Sequence, residues 1–211
     1  MKIVISSGHG KFVSGARDII DEVTEARKVT DRVAELLREV GVSVDVFHDD
    51  VSRNQRDNVN TIVRYHNSRE RDLDVSIHFN SVASGTRDAG IGVETLYSQG
   101  DLNGRELASR VSTAISRASG LILRRGDGTF PVTNIGFLNN TNKTGILIEV
   151  CFVNSRTDVR IYNEHFEDIC IAIAEGLSGQ TVSKEDRQQK YPISEDNIKA
   201  MELMGVINSP V

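Results

Sequence analysis

The stretch Met1–Gly10, MKIVISSGHG, decides how the rest of the chain is read. Lys2 to Ser6 is a short run rich in β-branched apolar residues, and Gly8 and Gly10 flank His9 with turn residues. A strand therefore runs straight into a histidine. In open α/β sheets the carboxyl edge of the strands is where ligands and chemistry gather. Two more runs end in the same manner. Leu73 to Phe79 reaches His78 within SIHFNS (Ser76–Ser81), and Thr144 to Val150 reaches Glu149 within ILIEVCF (Ile146–Phe152).

Helical spacing fills the intervals. Ala26, Val29, Val33, Leu36, Leu37 and Val40 predict a helix over Glu22 to Val40, with Asp21 as its N-cap and Gly41 suited to a left-handed end. VSVDVF, Val42 to Phe47, reads as a second strand. Ser52 and Gln55 offer a capping box for a helix reaching Asn67. Gly92 to Tyr97 is a fourth strand, Asp101 caps a helix to Ser119, and a last helix covers Glu164 to Ser178. Leu121 to Asn140 holds one or two short extended pieces, around Leu121 to Leu123 and Ile135 to Leu138. This alternation predicts an α/β fold, a mostly parallel twisted sheet with helices on both faces, in a single domain over residues 1–179. Residues 180–211 read as a polar linker followed by one short helix, Ser194 to Met204, with too few apolar groups to fold alone.

Composition removes several classes of function. A chain of 211 residues, 38% hydrophobic, can bury a full core. A net charge of -5 leaves no basic surplus to neutralise phosphates, so nucleic acid is not the expected partner. Cys151 and Cys170 are too few for a disulfide framework and lack metal-ligand spacing, so buried free thiols are expected. No apolar run approaches the roughly 20 residues of a membrane span. Met1 leads directly into a strand without a signal-peptide pattern, so synthesis in the cytoplasm is expected, and work outside the cell would need another exit.

His9, Glu22 and His78 form a candidate metal site. Two imidazoles and one carboxylate suit catalytic zinc, which keeps a fourth position open. Glu22 begins the helix that follows the first strand, on the same edge as His9. Glu149 lies within an apolar run, where a carboxylate is costly to bury unless paired, neutralised or ligated. Beside zinc it could act as general base and then general acid. The residue types leave rivals open. Glu25 lies close to Glu22, His48 is followed by Asp49 and Asp50, and Glu149 could instead be half of an ion pair with an arginine. Spacing alone reaches as far as a metal hydrolase.

VISSGHG, the acidic helix start at Glu22, SIHFNS and ILIEVCFVNS resemble the motifs of zinc-dependent N-acetylmuramoyl-L-alanine amidases, the cell-wall hydrolases of bacterial autolysins and phage endolysins. The resemblance covers roughly Met1 to Gly179. It implies that His9, Glu22 and His78 are the zinc ligands and Glu149 the catalytic glutamate. It further implies peptidoglycan as substrate, hydrolysis between N-acetylmuramic acid and L-alanine, and action on the wall after release in the manner of an endolysin. The tail after Gln180 then resembles a linker into a small wall-binding module. Two other functions stay open beside this one: a zinc peptidase or deacetylase on a related substrate, and a wall-binding protein without catalysis.

Overall fold

The computed structural model describes residues 1–182, so the linker and the helix expected over Ser194 to Met204 lie outside the described residues. Residues 1–180 form one compact unit. Its elements in chain order are β1 (Lys2–Ser7), α1 (Glu22–Glu39), β2 (Ser43–Phe47), α2 (Gln55–Asn67), β3 (Leu73–Asn80), β4 (Glu94–Ser98), α3 (Leu102–Ser119), β5 (Thr129–Val132), α4 (Gly136–Asn140), β6 (Thr144–Phe152), α5 (Arg156–Glu164) and α6 (Phe166–Ser178). The sheet order is β2-β1-β3-β6-β4-β5. Strands β1, β2, β3 and β6 are mutually parallel, while β4 pairs antiparallel to β6 and carries β5 parallel to itself. The carboxyl ends of β1, β3 and β6 therefore meet the starts of β4 and β5 along one edge.

The apolar faces predicted for α1 and α3 are buried, and both helices pack against α6 on one side of the sheet. On the other side α2 and α4 supply Ile62, Phe137 and Leu138 to an apolar cluster with Leu96, Val132 and Leu147. A polar stitch fixes α2 there. His66 Nδ1 lies 2.7 Å from Asp74 Oδ1 on β3, and His66 Nε2 lies 3.0 Å from Ser6 Oγ on β1. Arg71 Nη2 donates to Asp74 Oδ2 at 2.8 Å. Cys151 and Cys170 are free and buried, as expected.

Three local expectations are corrected. Helix α2 is capped by Asn54, whose side chain accepts from Asp57 N, because Asp49 Oδ1 already holds the amides of Val51 and Ser52 in a turn. Ile135 to Leu138 is not extended but enters α4, and the extended piece of that region is β5. Pro131 sits in β5, at the edge of the sheet, where the missing N–H removes no ladder bond from a central strand. The helix expected over Glu164 to Ser178 is α6, and a further helix that the sequence reading lacked, α5, precedes it. His165, at φ -120° and ψ 24°, separates α5 from α6, and α5 escaped the periodicity because it buries little beyond Asp158, Val159 and Tyr162.

Candidate metal centre

His9 follows β1 through a turn that only glycine permits. A Cβ on Gly8 would lie 1.9 Å from His78 Nε2, so the His78 ring rests directly on the Gly8 backbone. Gly15 plays the same part for Glu22, since a Cβ there would lie 2.4 Å from Glu22 Oε2 and 2.9 Å from His9 Cδ2. Asp21 caps α1 by accepting from Thr24 N, which starts the helix at Glu22 and turns that carboxylate over the end of β3. There Glu22 accepts from Ala16 N at 2.6 Å and from Phe79 N at 3.0 Å.

The three expected ligands converge. Glu22 Oε1 lies 3.0 Å from His78 Nδ1, Glu22 Oε2 lies 3.5 Å from His9 Nε2, and one donor atom from each residue falls within 4.8 Å of the others. The rings of His9 and His78 stand edge-on with centroids 5.2 Å apart. On the far side of its ring, His78 Nε2 lies 3.1 Å from Ser76 Oγ. Without a metal, Nδ1 carries the hydrogen and donates it to Glu22; with a metal held, Nδ1 would turn its lone pair to the ion and the hydrogen would sit on Nε2, toward Ser76 Oγ. Two imidazoles and a carboxylate fit zinc, and His9 Nδ1, buried without a hydrogen-bond partner, leaves room for an outer contact.

Electrostatics follow from this packing. Burial pushes the His9 pKa down, with the Glu22 charge opposing and the His78 charge adding to the fall. For Glu22, burial alone would raise the pKa. The His78 hydrogen bond, the charges of both histidines and the Ala16 amide outweigh it and hold the carboxyl below its ordinary value. His78 is lowered by burial, but the bond and charge of Glu22 and the charge of Glu149 carry it above the usual imidazole value.

Glu149 stands opposite His78 in the β3–β6 register. Its Oε2 is buried without a hydrogen-bond partner. Burial pushes its pKa up to about 8; the His78 charge opposes the rise, and the charges of Glu22 and Glu94 add to it. The ion-pair alternative fails here, because Arg124 and Arg125 both bind Glu94 on the neighbouring strand. The other rivals are engaged elsewhere. His48 lies between Ser7 Oγ and Asp31 Oδ1, Asp49 holds its turn and Asn58, and Asp50 pairs with Arg27. Glu25 accepts from Lys28 and from the Tyr162 hydroxyl.

The sequence reading placed Gly8 in a turn but not against His78, and it missed Gly15, Ser76 and Glu94. For Glu94 a signal existed, an acid within an apolar strand, the same cost that marked Glu149. For the glycines and Ser76 the role comes from packing across strands and is invisible in a linear reading.

An α/β sheet with two histidines and a carboxylate gathered at its strand ends carries the donor set of a metal-dependent hydrolase. The chain belongs to the N-acetylmuramoyl-L-alanine amidase family, whose sequence profile matches residues 3–179. Members of that family are typically metal-dependent and act on peptidoglycan. Two uncharacterised proteins of Clostridium perfringens are 30% and 32% identical to this chain, over 99% and 88% of its length. The chain spans 61% and 53% of those relatives. Among solved structures, the catalytic domain of the CD27L endolysin targeting Clostridia difficile matches with a TM-score of 0.75 at 22% identity, over 87% of this chain and 99% of that one. The CwlD amidase of Clostridioides difficile matches with a TM-score of 0.72 at 22% identity, over 84% and 96%. AmiC2 of Nostoc punctiforme, an N-acetylmuramoyl-L-alanine amidase, matches with a TM-score of 0.68 at 27% identity, over 84% and 94%. Among the described residues no helix is long and apolar enough to cross a membrane.

Proposed function

We propose that this chain hydrolyses the amide bond between N-acetylmuramic acid and L-alanine in peptidoglycan, with zinc held by His9, Glu22 and His78 and the proton carried by Glu149. When bound, zinc would polarise the scissile carbonyl and make a water acidic enough to attack at neutral pH. Glu149 accepts the proton of the attacking water on its carboxylate and returns it to the departing alanine nitrogen, a role worth roughly 10² to 10⁴ in rate. Burial raises its pKa in the metal-free molecule, and the charge of a bound metal would lower it again, leaving the carboxylate free to accept the proton. The backbone amides of Ala16 and Phe79 hold Glu22 in place, so that its orientation does not depend on the substrate.

The strongest support is the buried, unpartnered Oε2 of Glu149, in register with His78. A carboxylate with no structural partner at that position costs stability, and proton transfer is the role that accounts for it. The cell wall is the expected place of action, as for the endolysin and autolysin members of the family.

Product analysis tests this reading. Purified cell wall treated with the protein should release new L-alanine amino termini and no new reducing sugars. New amino termini on other residues would point to a peptidase, free amino sugars to a deacetylase, and binding without release to a non-catalytic wall protein.

A further inference from the structure

Glu94 is the first residue of β4 and stands directly opposite Glu149 in the antiparallel register with β6. Directly opposed residues on paired strands have Cα atoms about 4.5–5.5 Å apart and side chains on the same face. Glu94 is 1% exposed, and its carboxylate is shared by Arg124, Arg125 and Asn80. Two consecutive guanidiniums thus converge on one acid. Consecutive side chains normally diverge, and the chain reaches this arrangement with Arg125 at φ 60°, the only non-glycine residue with positive φ among those described. Each guanidinium also lies over a ring, Arg124 over Phe152 at 4.6 Å and Arg125 over Phe130 at 3.7 Å, which fixes its plane.

The charges do not balance. One carboxylate neutralises one guanidinium, and among the described residues no second acid pairs with either arginine. The charge of Arg124 also reaches Glu149, so Arg125 is the guanidinium with no acid of its own, and it is the more open of the two, Arg124 being 26% and Arg125 41% exposed. Neutralising Glu94 needs one arginine. The second, pre-aligned and open to solvent, has the geometry of an anion-binding fork.

Its position says which anion. The scissile bond would lie between the His9–Glu22–His78 group and Glu149, and Glu149 protonates the nitrogen that leaves with the peptide. Arg124 and Arg125 bind Glu94 on β4, on the side of Glu149 away from His78, the side that the leaving peptide would take on the amidase reading. We propose that they form a subsite for a substrate carboxylate, the one carried by the glutamyl residue that follows L-alanine in the stem peptide. The inference deepens the amidase reading and rests on it for the direction in which the substrate runs.

The test is binding of the two product dipeptides to the zinc-loaded protein, measured by calorimetry. L-Alanyl-D-glutamic acid with its γ-carboxyl capped as the methylamide, as the next peptide bond caps it in the stem, keeps one free side-branch carboxylate, and the matching L-alanyl-D-isoglutamine γ-methylamide carries an amide there. The unmodified protein should bind the acid about tenfold or more tightly than the amide, the worth of one charge-assisted contact. R125Q, with Glu94 still paired to Arg124, should bind both at the level of the amide. Equal binding of the two dipeptides by the unmodified protein, no binding of either, or discrimination retained in R125Q would each overturn the subsite. Hydrolysis of the muramyl form of each dipeptide is followed in parallel. Carboxylate-dependent binding without any hydrolysis would refute the amidase reading and leave the subsite standing, while hydrolysis indifferent to the carboxylate would do the reverse.

Discussion

One methyl group at Gly8 measures how tightly the metal centre is seated. The Cβ of Gly8→Ala would fall 1.9 Å from His78 Nε2, so the ring must leave its place between Ser76 and Glu22. Zinc affinity should fall by roughly 10–100-fold, as for other losses of ligand orientation, in a competition titration with a chromophoric chelator. Unchanged affinity would mean that the His78 ring is not held by its neighbours. Glu22→Ala should likewise lower zinc occupancy, while Glu25→Ala, which removes an acceptor for Lys28 and Tyr162, should leave occupancy nearly intact. Glu149 carries a pH signature in the metal-free protein. Its folded pKa of about 8 exceeds the ordinary 4.5, so the folded state keeps a proton that the unfolded chain releases. Its contribution is fully present below the unfolded pKa and is lost as pH rises through the folded one. Glu149→Gln should therefore gain little at pH 5 and on the order of 3 kcal/mol at pH 8 in urea denaturation. A gain independent of pH would remove burial as the cause. The candidate ligands were legible because each ends a strand or starts a helix, positions that periodicity and capping locate. Gly8 and Gly15 were not, because what they do depends on a side chain more than six residues away in sequence or across the sheet.

At the scale of elements, α2 is joined to the sheet by charge as well as by apolar packing. Asp74 lies between His66 and Arg71, and all three are buried. Asp74→Ala would leave a buried guanidinium and a buried imidazole without their acceptor, at a cost of about 3 kcal/mol or more in chemical denaturation. A loss under 1 kcal/mol would show that α2 is held by Ile62 and its apolar neighbours alone. Ser6, His66 and Asp74 have the connectivity of a hydrolytic triad, with contacts of 3.0 and 2.7 Å. All are sealed from solvent, which leaves no route for a substrate to Ser6. Ser6→Ala should accordingly leave wall hydrolysis near the level of the unmodified protein. Elements with strong periodicity, α1 and α3 among them, were read from sequence almost to the residue. The short or polar ones were not. β5 is four residues with a proline, and α5 buries a single narrow strip, so neither leaves a pattern long enough to register.

For the whole molecule, the alternation of strands and helices predicted a mostly parallel sheet. The reversal of β4 against β6 could not be read, because strand direction depends on how a connection crosses the sheet and not on the strand's own residues. That reversal matters chemically, since it brings the start of β4, with Glu94, to the edge where β6 presents Glu149. Residues 1–180 form a compact unit with its own core, so a chain ended at Gln180 should keep its cooperative thermal transition and its turnover of soluble muropeptides. Loss of the transition would show that the later residues contribute to folding. The account as a whole rests on the division between three residues that hold zinc and one that moves the proton. Zinc content and turnover of Glu149→Gln, measured on the same preparation, test that division directly. The variant and the unmodified protein should each bind one zinc per chain, while turnover of the variant falls by roughly 10² to 10⁴. Loss of zinc would make Glu149 a ligand, and near-normal turnover would contradict the mechanism outright.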